Sequence, residues 1–349
     1  MALTLISLSQ IAALGFDDII DVRAPAEYAE DHIPGAINLP VLDDAQRAEV
    51  GTIYKQDSPF RARKVGAALV AANAARHLQE ALADKPGGWR PLVYCWRGGQ
   101  RSGAFASILS QIGWRVELVA GGYKTYRNLV VEALYRQPLA GRVLVLDGNT
   151  GSAKTAVLAR LAARGVQVLD LEGLAHHRGS LFGAMPGGQP SQKAFESALA
   201  AAITILDPER VLVVEAESSK VGERRLPPEL WKAMQSAPRI AVAATVTARA
   251  QYLVRAYGDL ITDPARLSDI IGRLKPAHSA EQIEVWQGMA TAGQFEALAG
   301  DLMARHYDPR YDKHRARSAA PLVELHTECL NDAGLEALAD QLAAQIALL

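Results

Sequence analysis

Cysteine is scarce in this 349-residue chain: Cys95 and Cys329 stand far apart and outside any metal-ligand spacing. That excludes a disulfide framework and a zinc site, and it fits a reducing compartment. Neither sign of charge is in excess, with 37 Lys and Arg against 38 Asp and Glu, so a nucleic-acid partner has to be held by local patches. Aromatics make up only 6% and charged residues 21%, against 49% hydrophobic, the balance of an alanine-rich globular protein and not of a disordered one. No apolar run is long enough to span a bilayer, and residues 1–10 lack the positive start and cleavage signature of a secretory signal. The expectation is a cytoplasmic protein with no membrane association.

What is present is length and alternation. At 349 residues the chain exceeds the size at which one core keeps growing, so two domains are expected. Apolar strands at 19–22, around Ile37, at 91–94 and at 116–119 alternate with helical patterns, including a long one through Val65, Leu69, Ala72, His77 and Leu82. This predicts an α/β sheet with helices on both faces. The turn-rich segment Gln137-Pro138-Leu139-Ala140-Gly141 then divides a domain at 1–136 from one at 137–349. Strands are expected in the second at 142–146, 166–169, 211–215 and 240–246. A mostly helical C-terminal region follows, patterned at 279–302 and 332–348, with one strand at 322–326.

Two loops carry the chemistry. Tyr94-Cys95-Trp96-Arg97-Gly98-Gly99-Gln100-Arg101-Ser102 follows a short strand and precedes an apolar helical run. Backbone amides and a helix N-terminus converge at such a point, lowering a thiol pKa and favouring an anion. Cys95 is therefore a candidate nucleophile, with Arg97 and Arg101 stabilising its charge or that of an anion. Asp21 and Arg23 are either catalytic helpers or a structural pair.

The second loop, Gly148-Asn149-Thr150-Gly151-Ser152-Ala153-Lys154-Thr155, has the spacing of a phosphate cradle. Its glycines let amides approach phosphate, Lys154 neutralises charge, and Thr155 stands where a magnesium-linked hydroxyl is usual. Ala153 replaces the usual glycine, which is tolerable if the residue keeps an ordinary helical backbone. Glu215 and Glu217 end a later strand and are candidates for acid, base or metal-positioning roles, although a magnesium requirement is not decided by the sequence. His176, His177, Arg178 and Ser180 lie in a glycine-rich segment suited to closing on a ligand. Adjacent histidines seldom share an ion, so no metal site is assigned. Arg310, Tyr311, Lys313, Arg315 and Arg317 interleave cations with an aromatic ring, as an RNA contact or a solvated connection would.

Asp21-Val22-Arg23, the Glu27 region, His32-Ile33-Pro34-Gly35-Ala36 and the cysteine loop, in that order, resemble the rhodanese domain, a sulfur-transferase fold whose cysteine carries a persulfide. Five residues separate Cys95 from Arg101, one more than in the common single rhodanese domain, which suits a tetrahedral oxyanion and keeps a cysteine phosphatase in view. A small-molecule kinase with a fused rhodanese module, or a nonenzymatic nucleotide-responsive module, is also open on these residues. The rhodanese-like half with Gly121-Gly122-Tyr123-Lys124-Thr125-Tyr126-Arg127, the phosphate loop, His176-His177-Arg178-Gly179-Ser180 and Glu215-Ala216-Glu217-Ser218 together resemble the tRNA 2-selenouridine synthase family over nearly the whole chain. That resemblance implies a P-loop NTPase-like second domain and exchange of sulfur for selenium at the wobble 2-thiouridine of tRNA. It further implies selenophosphate as selenium source, an S-geranyl intermediate made from geranyl diphosphate, and an enzyme supplying selenophosphate as a partner. Cys95 would handle selenium, and Lys154 with Thr155 would cradle the prenyl diphosphate.

Overall fold

The computed structural model describes residues 2–315 and 320–349. They fall into two compact units, Met1–Pro138 with Pro190–Ile205, and Leu139–Gln189 with Leu206–Leu349. The first unit is built on a five-stranded parallel sheet of β1 (Ala2–Leu3), β2 (Asp18–Asp21), β3 (Ala36–Asn38), β4 (Pro91–Tyr94) and β5 (Glu117–Val119), in the order β1-β5-β4-β2-β3. β4 lies between β2 and β5 and all four of its residues are buried, which is why its sequence is unbroken apolar with no alternation. Helices α1 (Leu8–Ala12), α2 (Pro25–Glu30), α3 (Asp44–Gln56), α4 (Pro59–Gln79), α5 (Gln100–Ile112) and α6 (Gly122–Val131) connect the strands. The long helical pattern expected before β4 proves to be the second arm of a hairpin. Asp43 caps α3 in a capping box with Gln46, and Ser58 with Pro59 starts α4. Ile20, Val22, Val93, Phe105 and Leu109, each fully or almost fully buried, form the core around Cys95.

The second unit holds another five-stranded parallel sheet, β6 (Val143–Gly148), β7 (Gln167–Leu169), β8 (Leu212–Glu215), β11 (Arg239–Ala244) and β12 (Val323–Thr327), ordered β12-β11-β6-β8-β7. A short antiparallel ribbon, β9 (Lys220–Val221) with β10 (Arg224–Arg225), follows β8. Helices α7 (Lys154–Ala163) and α8 (Leu171–Ala175) precede Pro190–Ile205, which clusters with the first unit and forms α9 (Gln192–Thr204). The single division expected near residue 137 therefore misses an excursion. Phe195 and Leu199 of α9 are fully buried, Ser197 Oγ donates to Asp31 at 2.9 Å, and Arg127 pairs with Glu196.

The remainder, α10 (Pro228–Ser236), α11 (Val246–Ala256), α12 (Gly258–Ile261), α13 (Pro264–Gly272), α14 (Ala280–Thr291), α15 (Phe295–Leu302), a π-helical turn Met303–Tyr307, α16 (Asp308–Arg315) and α17 (Asp332–Ile346), makes the C-terminal region mostly helical as expected. Two expected elements are divided differently. Strand β11 stops at Ala244 because Thr245 caps α11 by accepting from the Ala248 amide. The pattern at 279–302 is two helices, since Gly293 at φ +68° turns the chain between α14 and α15. The α/β class with parallel sheets stands for both halves.

Candidate functional site

Cys95 follows β4 directly and the residue is 3% exposed. The Gly99 amide donates to its sulfur at 3.3 Å and the buried Ser102 hydroxyl at 3.2 Å. Burial alone would push the thiol up. The Ser102 hydroxyl and amide, the Gly99 amide and the Arg101 charge outweigh it, and the pKa falls below its ordinary value. Position at the start of the 13-residue helix α5 acts in the same direction.

The loop is held from behind by the segment that enters α6. Tyr123 donates its amide to the Cys95 carbonyl at 2.8 Å and Lys124 to that of Trp96 at 3.0 Å. Gly122 has φ +60°, and a Cβ there would lie 2.1 Å from the Cys95 carbonyl oxygen, so this brace requires glycine. Arg101 reaches Glu27 Oε2 at 2.8 Å, which also accepts from Arg47 Nε at 2.9 Å. Burial opposes ionisation of Glu27, but Arg101 and Arg47 keep its carboxyl below the usual range. Arg97 is exposed at the rim. Asp21 and Arg23 form a fully buried pair at 2.6 Å, with Arg23 also donating to the Asp31 carbonyl and lying over the Tyr123 ring. Of the two roles open to them, the structural one describes this geometry.

In the second unit the strand, loop and helix of a phosphate cradle are in place, β6 leading to α7. Lys154 Nζ donates to the Gly148 carbonyl at 2.8 Å. Ala153 departs from expectation: it sits at φ 62°, ψ 27°, in the left-handed region and not in a helical one. A Cβ there costs roughly 1–2 kcal/mol that glycine would not carry. Ala153 belongs to the core cluster with Val157 and Leu161, so burial of its methyl offsets part of that cost.

Three glutamates surround Lys154 and Thr155. Thr155 Oγ1 lies 2.7 Å from Glu172 Oε2 and 2.9 Å from Glu215 Oε2. A hydroxyl has one proton to donate, so both contacts hold only if a carboxyl is protonated. Burial first, then repulsion from Glu172, pushes Glu215 up to about 8, and Glu217 is raised well above the usual range by burial, Glu172 and Glu215. Glu172 is raised chiefly by burial. Lys154 keeps its proton despite burial because Tyr311 and the three glutamates face it. Glu172 escaped the sequence reading, although its place just after β7, beside the Asp170 cap, was a usable signal.

A cavity of about 490 Å³ opens on this cluster, with Thr150, Gly151, Lys154 and Thr155 on one side and His177, Arg178, Ser180, Glu217 and Tyr311 among its other walls. Of the predicted ligand-closing residues, His177, Arg178 and Ser180 line it. His176 instead caps α8 and contacts the Pro186 carbonyl at 2.8 Å. Glu215 lies beneath it, fully buried behind Thr155. Asn149 turns away to Asp308 Oδ1 at 3.1 Å, and the buried Arg249 ties Asp308 to the Thr150 carbonyl, so Arg249 serves the loop. A second, apolar cavity of about 80 Å³ shares Thr150, Ser180, Leu253, Tyr257 and Tyr307 with the first and continues among Phe182, Leu298 and Leu302. Arg178 Nη1 and the Tyr307 hydroxyl, both buried, find no hydrogen-bond partner among the described residues. Among the described residues, no group of three His, Cys, Asp or Glu is arranged to hold a metal ion, and no helix is long and apolar enough to cross a membrane.

The residues proposed for RNA contact are divided. Tyr311 lies 5.9 Å from Lys154 Nζ in the cradle cavity, and Arg310 donates to His306 Nε2 at 2.6 Å. Lys313 and Arg315 fall in α16, their side chains outside the described ones, and Arg317 lies outside the described residues.

An amide-cradled thiol on one parallel sheet and a phosphate loop on another define a rhodanese-like domain joined to a P-loop domain. Residues 7–129 match the rhodanese-like domain, and residues 141–269 match the tRNA 2-selenouridine synthase AAA domain. Among curated proteins, the tRNA 2-selenouridine synthase of Alcanivorax borkumensis is 33% identical over 87% of this chain and 91% of its own length. That of Aeromonas salmonicida is 39% identical over 87% of this chain and 89% of its own, and that of Nitrosomonas europaea 34% identical over 86% and 79%. The chain belongs to the tRNA 2-selenouridine synthase family.

Proposed function

We propose that the chain converts wobble 2-thiouridine in tRNA to 2-selenouridine in two steps, each using one of its anion sites. In the first, the thiocarbonyl sulfur attacks C1 of geranyl diphosphate, the C1–O bond breaks, and diphosphate leaves from the cradle of Lys154, Thr155 and the loop amides. Alkylation turns a poor leaving group into a thioether-like one. In the second, the selenium of selenophosphate bonds to C2, the C2–S bond breaks to release geranylthiol, and water cleaves the Se–P bond to release phosphate, with Cys95 as the selenium-handling thiol and the Gly99 and Ser102 donors holding the anionic species. An enzyme supplying selenophosphate is the expected partner, and a cytoplasmic setting suits the reduced thiol.

The observation that carries this reading is that the two cavities are neighbours with shared walls, Thr150, Ser180, Leu253, Tyr257 and Tyr307 lining both. A phosphate cradle lies against an apolar chamber, with Arg178 on the cradle side and Tyr307 in the shared wall each leaving a buried donor without a partner among the described residues. An isoprenoid diphosphate matches both halves, its tail gaining about 0.8 kcal/mol for each methylene buried. Protonated glutamates beside Lys154 lessen repulsion of the incoming diphosphate.

The test is incubation with 2-thiouridine-containing tRNA, geranyl diphosphate and selenophosphate, followed by mass analysis of nucleosides. Cys95→Ala should abolish selenation and spare geranylation, and Lys154→Ala should impair geranylation. Unchanged products in both variants would refute the assignments, and a phosphoenzyme trapped on Cys95 would favour a phosphatase.

A further inference from the structure

We propose that the free end of the α3–α4 hairpin is an RNA-docking surface, where cations hold the phosphate backbone and two exposed rings stack on unpaired bases. Helix α3 has no fully buried residue along its 13 positions, unusual for a helix whose stability comes from one apolar face. It is held at its root and along one seam. Asp44 Oδ1 accepts from the Ala26 amide at 3.1 Å, Asn73 Nδ2 donates to Gln46 Oε1 at 2.7 Å, and Val50 packs on Gly66.

The distal end has a different composition. Tyr54 is 58% and Phe60 70% exposed, on either side of the turn between the helices. Over 54–64 the chain carries Lys55, Arg61, Arg63 and Lys64 against the single acid Asp57, and all four cations are exposed. In a protein of net charge −1, this is a local basic patch of the kind an RNA partner requires, and aromatic rings among cations are the pattern that holds single strands. The root of the hairpin reaches the thiol loop, because Arg47 of α3 and Arg101 share Glu27. Thirteen helical residues span about 20 Å, close to six steps of a nucleic-acid strand at about 3.4 Å each. One RNA could thus present a base to Cys95 and lay its backbone along the hairpin. The inference rests on tRNA being the substrate.

The test measures binding of full-length protein to 2-thiouridine-containing tRNA by fluorescence anisotropy from 50 to 300 mM KCl. Replacing Lys55, Arg63 and Lys64 by Ala should lower the magnitude of the salt slope by about 3. Tyr54→Ala and Phe60→Ala should each weaken binding at least about fivefold. Cys95 alkylation rate and circular dichroism, unchanged in these surface variants, establish that the fold is intact. Wild-type binding with undiminished affinity and slope in both sets would overturn the hairpin proposal and leave the functional reading standing. No wild-type binding would remove both. Hairpin-dependent binding to anionic vesicles, with tRNA binding unaffected, would reassign the surface to a membrane.

Discussion

Glu215→Gln should make the protein more stable at neutral pH, and by more as the pH rises. The carboxyl ordinarily titrates at 4.5 but is pushed up to about 8, first by burial and then by Glu172. Between those values the folded state holds a proton that the unfolded state has released, so folding stability is lost as pH rises from 4.5 toward 8. Each pH unit costs about 1.4 kcal/mol, so the penalty at pH 7 is on the order of 3 kcal/mol, shared with Glu172 and Glu217 through their coupling. Glutamine removes the titration and can keep the contacts: its carbonyl accepts from the Glu172 amide, its amide donates to Thr155 Oγ1, and Thr155 then donates to Glu172. Chemical or thermal unfolding of wild type and variant at pH 5, 7 and 9 is the assay. The curves should nearly coincide at pH 5 and diverge upward. Parallel dependence on pH, or a destabilised variant at pH 7, would refute proton retention at this cluster.

Other consequences are as direct. Ser102→Ala removes the foremost of the interactions that lower the Cys95 pKa, so alkylation by iodoacetamide at pH 7 should slow several-fold while the rate at high pH is recovered. Gly122→Ala places a methyl against the Cys95 carbonyl at positive φ and should cost about 1–3 kcal/mol together with thiol reactivity, as read by unfolding and alkylation. On the proposed reading, geranylation should fall as pH rises through about 8, where Glu215 ionises behind Thr155 beneath the cradle, whereas thiol-dependent selenation should rise with pH until Cys95 is fully thiolate. Ala299→Phe, filling the apolar chamber, should raise KM for geranyl diphosphate far more than for a short dimethylallyl analogue.

Both loops were legible because their chemistry is local. A cysteine after a short apolar strand and a lysine at fixed spacing from two glycines fix their own surroundings through amides and a following helix. The supports were less so. Gly122 is needed only because it meets Cys95 across the fold, and Glu172 matters only because Thr155 and Glu215 come to it. Arg249 is buried holding Thr150 and Asp308, partners far from it in the chain. The excursion of α9 into the first unit depends on long-range partners, Asp31 and Arg127, that no window of sequence contains. Ala153 was misjudged because a left-handed backbone is set by the loop's closure and not by the residue in it.

The measurement closest to the central claim supplies tRNA already bearing S-geranyl-2-thiouridine, with selenophosphate, to the Lys154→Ala and Cys95→Ala proteins and follows selenouridine by mass. The first variant should form it at close to the wild-type rate and the second should form none. Selenation by the Cys95 variant, or its loss in the Lys154 variant, would contradict the division of labour between the two sites.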